Sequence, residues 1–105
     1  MFSRKTKTIA PVDAARAADA GKLQLVDIRP EAEATEQRIT HALNIPFGQL
    51  DARLGEIDTA RPVAFVCRAG VRSKDAAKLA TKRGLDALSV DGGANAWRES
   101  VGATS

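Results

Sequence analysis

The sequence predicts a protein of the α/β class, with a largely parallel sheet that is covered by helices on both faces. Short apolar runs alternate with helix-forming segments along the 105 residues, as expected where helices connect parallel strands. The apolar run 63–66 lacks polar alternation, which indicates a strand buried on both faces. The length and the hydrophobic fraction of 44% are sufficient for one domain with its own core.

In the first half of the chain, proline and glycine mark the limits of the elements. Pro11 is tolerated at the first position of a helix, and Gly21 is a common residue just beyond a helix end. Pro46 stops a strand. The predicted elements are helix 11–20, strand 23–28, helix 30–38, strand 42–45 and a helix whose inner face is Leu50, Leu54 and Ile57.

The second half of the chain repeats the alternation. Ser73 is a candidate N-cap for a helix, and Ala76, Leu79 and Ala80 form the inner face of that helix, which Gly84 ends. The predicted elements are strand 63–66, a helix from Ser73, strand 87–90, a turn at Asp91-Gly92-Gly93 and a closing helix 94–99.

Composition argues against several classes of partner. The formal net charge of +3 is scattered, apart from a basic tail at 1–8, and aromatic residues make up only 4% of the chain. We therefore expect no nucleic acid partner. The chain has no apolar run of the roughly 18 residues that a membrane span needs. It has no signal-like segment at its start and only one cysteine, so we expect a cytoplasmic protein with no membrane partner.

The single cysteine, Cys67, is the main candidate for chemistry. It lies between an apolar strand and a short basic loop, and a helix follows. The carboxyl ends of parallel strands form the usual ligand site, and Cys67, Asp27 and Asp91 are each predicted to lie near such an end. With one cysteine and one histidine, the chain offers no metal-ligand cluster, so we predict no metal and no cofactor.

The loop after Cys67 has the composition of an anion site. A thiolate is the reactive form of cysteine, and nearby positive potential favours it. Arg68, Arg72 and the start of the next helix would supply that potential. Gly70 would allow the loop to turn its N–H groups inward. We therefore predict a reactive Cys67 rather than a small core residue.

Four segments of the chain are similar to one known family. VAFVCRAGVRSKDAAKLATKRG and LSVDGGANAW resemble the second half of a rhodanese-like sulfurtransferase domain, and LVDIRPEAE and ALNIPFGQL resemble its first half. The resemblance implies a three-layer α/β/α fold with a central, mostly parallel sheet of about five strands. It also places the domain at 9–99, between the tail 1–8 and a short C-terminal tail at 100–105.

The resemblance implies a persulfide mechanism. Thiosulfate, or a similar small anionic sulfur donor, would pass its outer sulfur to the catalytic Cys67, and a thiol or protein acceptor would then remove it. The implied substrate-binding residues are Arg68, Ala69, Gly70, Val71 and Arg72. Asp27 and Arg29 match an aspartate–arginine pair of the family, and we assign them, with Ser73, to structural support.

One segment departs from the family pattern. Residues 37–42 read QRITHA where the family usually has Gly-His-Ile-x-Gly-Ala, and Ala34 replaces an aromatic residue. We expect these changes to affect packing and partner choice more than sulfur chemistry. His41 is not expected to act as a catalytic base, and Trp97 is expected to pack the closing helix onto the sheet.

Other functions remain open at this stage. The first alternative to a thiosulfate-using enzyme is a persulfide relay dedicated to one partner protein. A non-catalytic binding module is disfavoured, because such relatives commonly lack the cysteine. Related phosphatases and arsenate reductases place five residues between cysteine and arginine, whereas this chain has four between Cys67 and Arg72. The shorter loop suits a sulfur atom better than a tetrahedral oxyanion.

Overall fold

The structure, a computed structural model, describes residues 6–102 and contains one five-stranded sheet. The strand order is β1-β5-β4-β2-β3, and every neighbouring pair is parallel. The strands are β1 Thr8–Ile9, β2 Gln24–Asp27, β3 Ala42–Asn44, β4 Val63–Val66 and β5 Ala87–Val90. The predicted α/β class and parallel sheet are confirmed.

Five α-helices connect or follow these strands. They are α1 Pro11–Asp19, α2 Glu31–Glu36, α3 Leu50–Arg53, α4 Arg72–Lys82 and α5 Gly93–Ser100. Single 3-10 turns, Phe47–Gln49 and Leu54–Glu56, flank α3. The prediction of one continuous helix through Leu50, Leu54 and Ile57 is therefore wrong in part. Gly55 lowers the helix propensity of the segment, and short 3-10 pieces take up the irregular backbone. Within residues 6–102, no helix combines the length and apolarity that crossing a membrane would require.

The edge strand β1 was not predicted from the sequence. Thr8, which the sequence analysis placed in the basic tail, pairs with Ser89, and Ile9 pairs with Val90. A two-residue strand is too short to show any hydrophobic period, so only its pairing with β5 identifies it.

The central strand β4 separates two core layers. Because successive side chains point to opposite faces of a sheet, Val63 and Phe65 join the core formed with α3 and α4. Ala64 and Val66 join the core formed with α1 and α5. All four are fully buried, as predicted for a strand covered on both sides. Trp97 of α5 lies in the second layer and packs the closing helix onto the sheet, which confirms its predicted role.

Candidate active site

Cys67 lies at the carboxyl end of the central strand, where the chain leaves β4 and turns towards α4. Only 6% of the residue is exposed. It contributes to the wall of an open cavity of about 650 Å³, which the cysteine loop shares with the segments that follow β2 and β3. The nearly buried cysteine therefore borders a cavity that is open to solvent.

The sulfur of Cys67 lies within hydrogen-bond distance of two backbone N–H groups and one hydroxyl group. The N–H of Gly70 donates to Sγ at 3.1 Å and the N–H of Ser73 at 3.4 Å. The Ser73 hydroxyl is also 3.4 Å from Sγ. Burial raises the pKa of the Cys67 thiol, but the hydrogen bonds from Ser73, Gly70 and Ala69 outweigh it, and the pKa lies below its ordinary value. The donors to the free thiol sulfur are thus residues Ala69, Gly70 and Ser73.

The prediction that Ser73 caps α4 is wrong. The helix begins at Arg72, Val71 occupies the N-cap position, and no side chain forms a capping hydrogen bond there. The Ser73 side chain is fully buried instead. Its hydroxyl lies between Sγ of Cys67 and the hydroxyl of Ser89, 2.6 Å away. Because a capping serine and an inward serine both occur near a helix start, the sequence alone did not distinguish them.

Two glycines allow the loop and the closing helix to approach each other. Gly70 has a φ of +90°, and a Cβ there would lie 2.9 Å from the backbone nitrogen of Gly92. Gly93 has a φ of +61°, and its Cβ would collide with the carbonyl oxygen of Cys67 and lie 2.7 Å from that of Arg68. Only glycine tolerates both conditions.

The start of α5 fixes the backbone of the cysteine loop. The N–H of Ala94 donates to the carbonyl oxygen of Cys67 at 2.7 Å, and the N–H of Asn95 donates to that of Arg68 at 3.0 Å. The first N–H groups of a helix lack partners within the helix. Here they hold the two residues that begin the loop.

The two loop arginines have different surroundings. Arg68 forms a two-point ion pair with Glu33 of α2, with Nη2–Oε2 at 2.7 Å and Nε–Oε1 at 3.1 Å. The guanidinium of Arg72 lies over the Phe47 ring, 5.4 Å from its centroid. Within the described residues, no carboxylate pairs with Arg72. Both arginines line the cavity, but the carboxylate of Glu33 already balances the charge of Arg68.

Asp27 and Arg29 form a buried ion pair beside the cavity. Nη2 of Arg29 is 2.7 Å from Oδ2 of Asp27, Nε is 3.0 Å from Oδ1, and the backbone N–H of Arg29 also donates to Oδ1. Arg29 lines the cavity with Cys67, whereas Asp27 does not. Asp91 is exposed and does not line this cavity. Of the three positions predicted near strand ends, only Cys67 lines the cavity, and Asp27 is linked to it through its ion pair with Arg29.

The atypical segment 37–42 contacts Arg29 of the buried ion pair. The carbonyl oxygen of Gln37 accepts a hydrogen bond from Nη2 of Arg29 at 2.6 Å, and the Gln37 side chain bonds the carbonyl oxygen of Ala94 and the side chain of Arg98. The segment therefore links the ion pair to α5, a contact that the sequence analysis did not anticipate.

His41 lies far from the sulfur. It precedes β3 and so lies at the amino ends of the parallel strands, where its Nε2 is 3.2 Å from Oδ1 of Asp19 on the surface. Cys67 lies at the carboxyl ends of the strands. Among residues 6–102, no three histidine, cysteine, aspartate or glutamate side chains are grouped as metal ligands.

Comparison with known proteins agrees with this architecture. The Rhodanese-like domain family matches residues 10–100. The chain is 35% identical over 82 residues to the thiosulfate sulfurtransferase GlpE of Shewanella oneidensis, covering 77% of this chain and 81% of that protein. It is 37% identical over 83 residues to a sulfurtransferase of Allochromatium vinosum, covering 78% of each. A rhodanese-related protein from Thermoplasma volcanium superposes with a TM-score of 0.82 at 25% identity, covering 89% of this chain and 91% of that one.

This chain belongs to the rhodanese-like domain family, as its sequence motifs, fold and relatives agree. Some matched proteins are much longer, and the chain spans 38% of one curated relative and 16% of one solved chain.

Proposed function

We propose that this protein is a sulfurtransferase that carries sulfane sulfur as a persulfide on Cys67. The main support is the position of Sγ, held by the N–H groups of Gly70 and Ser73 at the wall of an open cavity. These donors favour the thiolate, which is the nucleophile in sulfur transfer. The sulfurtransferase activity named for two relatives supports the same reaction class.

The proposed reaction has two balanced steps. The Cys67 thiolate attacks the outer sulfur of thiosulfate, a sulfur–sulfur bond forms, the original sulfur–sulfur bond breaks, and sulfite leaves with its electron pair. An acceptor thiolate then attacks the outer sulfur of the protonated persulfide. The acceptor becomes the persulfide, and Cys67 is released as a thiolate. Neither step consumes an external oxidant or reductant.

The cavity charges support an anionic donor. Arg72 has no carboxylate partner among the described residues and lines the cavity with the sulfur. A guanidinium favours a sulfur oxyanion through charge-assisted hydrogen bonds. Arg68 would contribute less, because Glu33 already holds it. We therefore assign the main donor-binding role to Arg72.

A second candidate function is a persulfide relay that serves one protein partner. The observation that favours it is the apolar part of the cavity lining, which includes Pro46, Phe47 and Val71, the last of them 71% exposed. A small anion does not need this surface, whereas a docking protein would cover it. Efficient turnover with thiosulfate and a small thiol would exclude a dedicated relay.

A phosphatase-like reaction is less well supported. Four residues separate Cys67 from Arg72, and the loop N–H groups of Gly70 and Ser73 point at the sulfur itself. An oxyanion bound over the cysteine needs N–H groups directed beyond the sulfur. We expect no measurable hydrolysis of an aryl phosphate.

Intact-protein mass spectrometry tests the proposed function. Thiosulfate is expected to add one sulfur, about 32 Da, to the wild-type protein and none to Cys67→Ser. Cyanide should remove the added mass and yield thiocyanate. Release of sulfite by Cys67→Ser at the wild-type rate would overturn the assignment of the nucleophile. Absence of the adduct with every sulfane donor offered would overturn the proposed function.

A further inference from the structure

A buried hydroxyl lies behind the sulfur site. Ser89 of β5 has no solvent exposure, and its Oγ is 2.6 Å from Oγ of Ser73. Ser73 in turn lies 3.4 Å from Sγ of Cys67. Ser89 therefore begins a short chain of hydrogen-bonding groups that runs from the interior of the sheet to the cavity.

Ser89 is a buried polar residue in a largely apolar strand. Its neighbours in β5 include Leu88 and Val90, and its strand partners are Thr8 and Phe65. A buried hydroxyl is costly unless it is hydrogen-bonded, and an apolar residue would fill the position without that cost. Among the side chains of residues 6–102, the Ser73 hydroxyl is the hydrogen-bond partner of the Ser89 hydroxyl.

Which groups donate in the Cys67–Ser73–Ser89 hydrogen bonds depends on the protonation state of Cys67. A serine hydroxyl has one hydrogen to donate. If Ser73 donates to the sulfur, the short contact between the hydroxyls must be filled by the hydrogen of Ser89. When Cys67 is a thiolate, the two serine hydrogens therefore fill the two contacts, one from Ser89 to Ser73 and one from Ser73 to the sulfur. If the thiol donates to the Ser73 hydroxyl instead, three hydrogens share the same two contacts, and one hydroxyl hydrogen has no acceptor within them. A buried donor without a partner is unfavourable.

We propose that Ser89 is a positioning residue for the reactive sulfur. It donates to Ser73 and so commits the Ser73 hydroxyl to donate towards Sγ of Cys67. Its effect on the thiol is independent of the substrate, whereas its role in sulfur transfer rests on the proposed function.

In sulfur transfer, the same hydrogen bond acts at two stages. Before the donor step it increases the fraction of Cys67 present as thiolate. In the acceptor step, the Cys67 sulfur leaves as a thiolate, and a leaving thiol of lower pKa leaves faster. Ser89 therefore assists the release of the sulfur to the acceptor even at a pH where the free thiol is fully ionised.

The charged groups around the cavity do not explain such an effect. The ionisable side chains that line the cavity with Cys67 are Arg29, Glu33, Arg68 and Arg72. Substitution of Ser89 alters none of them directly. A change in the titration of Cys67 in a Ser89 variant would thus report the hydroxyl chain.

The rate of alkylation by iodoacetamide, measured against pH, tests the proposal without any sulfur donor. For Ser89→Ala we expect the midpoint of the profile to move up by about half to one pH unit, the loss expected for one oriented hydrogen bond. The rate at the high-pH plateau should stay equal or rise slightly, because a more basic thiolate is more nucleophilic. Ser89→Thr, which keeps the hydroxyl, should restore most of the shift.

A double-mutant cycle separates positioning from a purely structural role. Ser73→Ala alone should raise the midpoint, and adding Ser89→Ala to it should cause little further change. Urea unfolding of each variant confirms that the folded protein is being titrated. An unchanged midpoint in Ser89→Ala, or the same shift in both Ser73 backgrounds, would overturn the proposal. Failure to form a persulfide would overturn the proposed function and leave this titration intact.

Discussion

At the scale of single residues, the site separates two tasks that the sequence analysis had combined. The sulfur of Cys67 is held by the N–H groups of Gly70 and Ser73 and by the Ser73 hydroxyl. Within residues 6–102, no arginine side chain donates a hydrogen bond to this sulfur. Arg72 lies at the cavity wall instead. The loop N–H groups and the Ser73 hydroxyl therefore favour the thiolate, and we assign the attraction of the donor to the guanidinium of Arg72.

This separation predicts unequal effects for the two loop arginines. Arg72→Ala should reduce kcat/KM for thiosulfate about tenfold, at the lower end for a charged hydrogen bond because the side chain is exposed. Arg68→Ala should have a smaller effect, since Glu33 already neutralises Arg68. Steady-state kinetics with thiosulfate and cyanide gives both values.

Glu33→Gln provides the matched variant for this comparison. It removes the carboxylate that pairs with Arg68 and should lower KM for thiosulfate, because a second guanidinium becomes available to the anion. Equal losses in Arg72→Ala and Arg68→Ala, together with no change in Glu33→Gln, would show that the ion pair does not decide which arginine binds the donor.

At the scale of secondary-structure elements, the position of the loop depends on α5 as much as on β4. The helix begins at Gly93, directly after β5, and its first N–H groups bind the carbonyl oxygens of Cys67 and Arg68. The double glycine is thus required by a close approach of two backbones. The sequence predicted a turn there but did not show that the turn supports the cysteine loop.

Gly93→Ala should therefore damage both stability and reactivity. The alanine would adopt an unfavourable positive φ, and its Cβ would collide with the carbonyl group of Cys67. We expect a loss of at least about 2 kcal/mol in the free energy of unfolding. Displacement of the loop should also raise the pKa of Cys67, so that less thiolate is present at neutral pH. Urea unfolding and the iodoacetamide pH profile measure the two effects.

Gly21→Ala is the control for this substitution. Gly21 has a similar φ of +73°, but a Cβ there would meet nothing within 4 Å. It should cost only the conformational term, about 1 kcal/mol, and leave the titration of Cys67 unchanged. Equal losses of stability in the two variants would show that the approach of α5 to the loop is not under steric constraint.

Some of the secondary-structure elements could be predicted from the sequence, and others could not. Strands 63–66 and 87–90 were predicted with the bounds that the structure gives, because the first apolar run begins after Pro62 and ends at Cys67 and the second, mainly apolar run lies between two aspartates. β1 and the broken helix around α3 were not predicted. The first is defined only by its partner strand, and the second by competition between weak local preferences.

At the scale of the whole molecule, parallel strands bring residues together that are remote in sequence. The position of Cys67 at a carboxyl end followed from the strand pattern and a general rule for parallel sheets. The contacts of Ser73 with Ser89 and of Arg68 with Glu33 did not follow, because each joins different elements through side-chain orientation. The nucleophile was thus predictable from local sequence, while the groups that tune it needed the assembled fold.

The net charge of the molecule gives a final prediction. The chain carries a formal charge of +3, and at the cavity both Arg68 and Arg29 are paired, which leaves Arg72 as the unbalanced cation among the described lining residues. A dianionic donor should be attracted by this field, and salt should screen it. Raising the salt from about 20 mM to about 500 mM should lower kcat/KM for thiosulfate about threefold to tenfold.

Uncharged iodoacetamide is the control for this salt dependence. Its reaction with Cys67, measured at a pH on the plateau, should change little over the same range of salt, because no charged reagent approaches the cavity. Arg72→Ala should flatten the thiosulfate response, while Lys7→Ala, at an exposed ion pair with Asp86, should not. If salt slowed both reactions equally, salt would be changing the reactivity of the Cys67 thiolate rather than the attraction of the anionic donor to the cavity. The steering role of Arg72 would then be wrong, whereas the hydrogen bonds that hold the sulfur would still account for its reactivity.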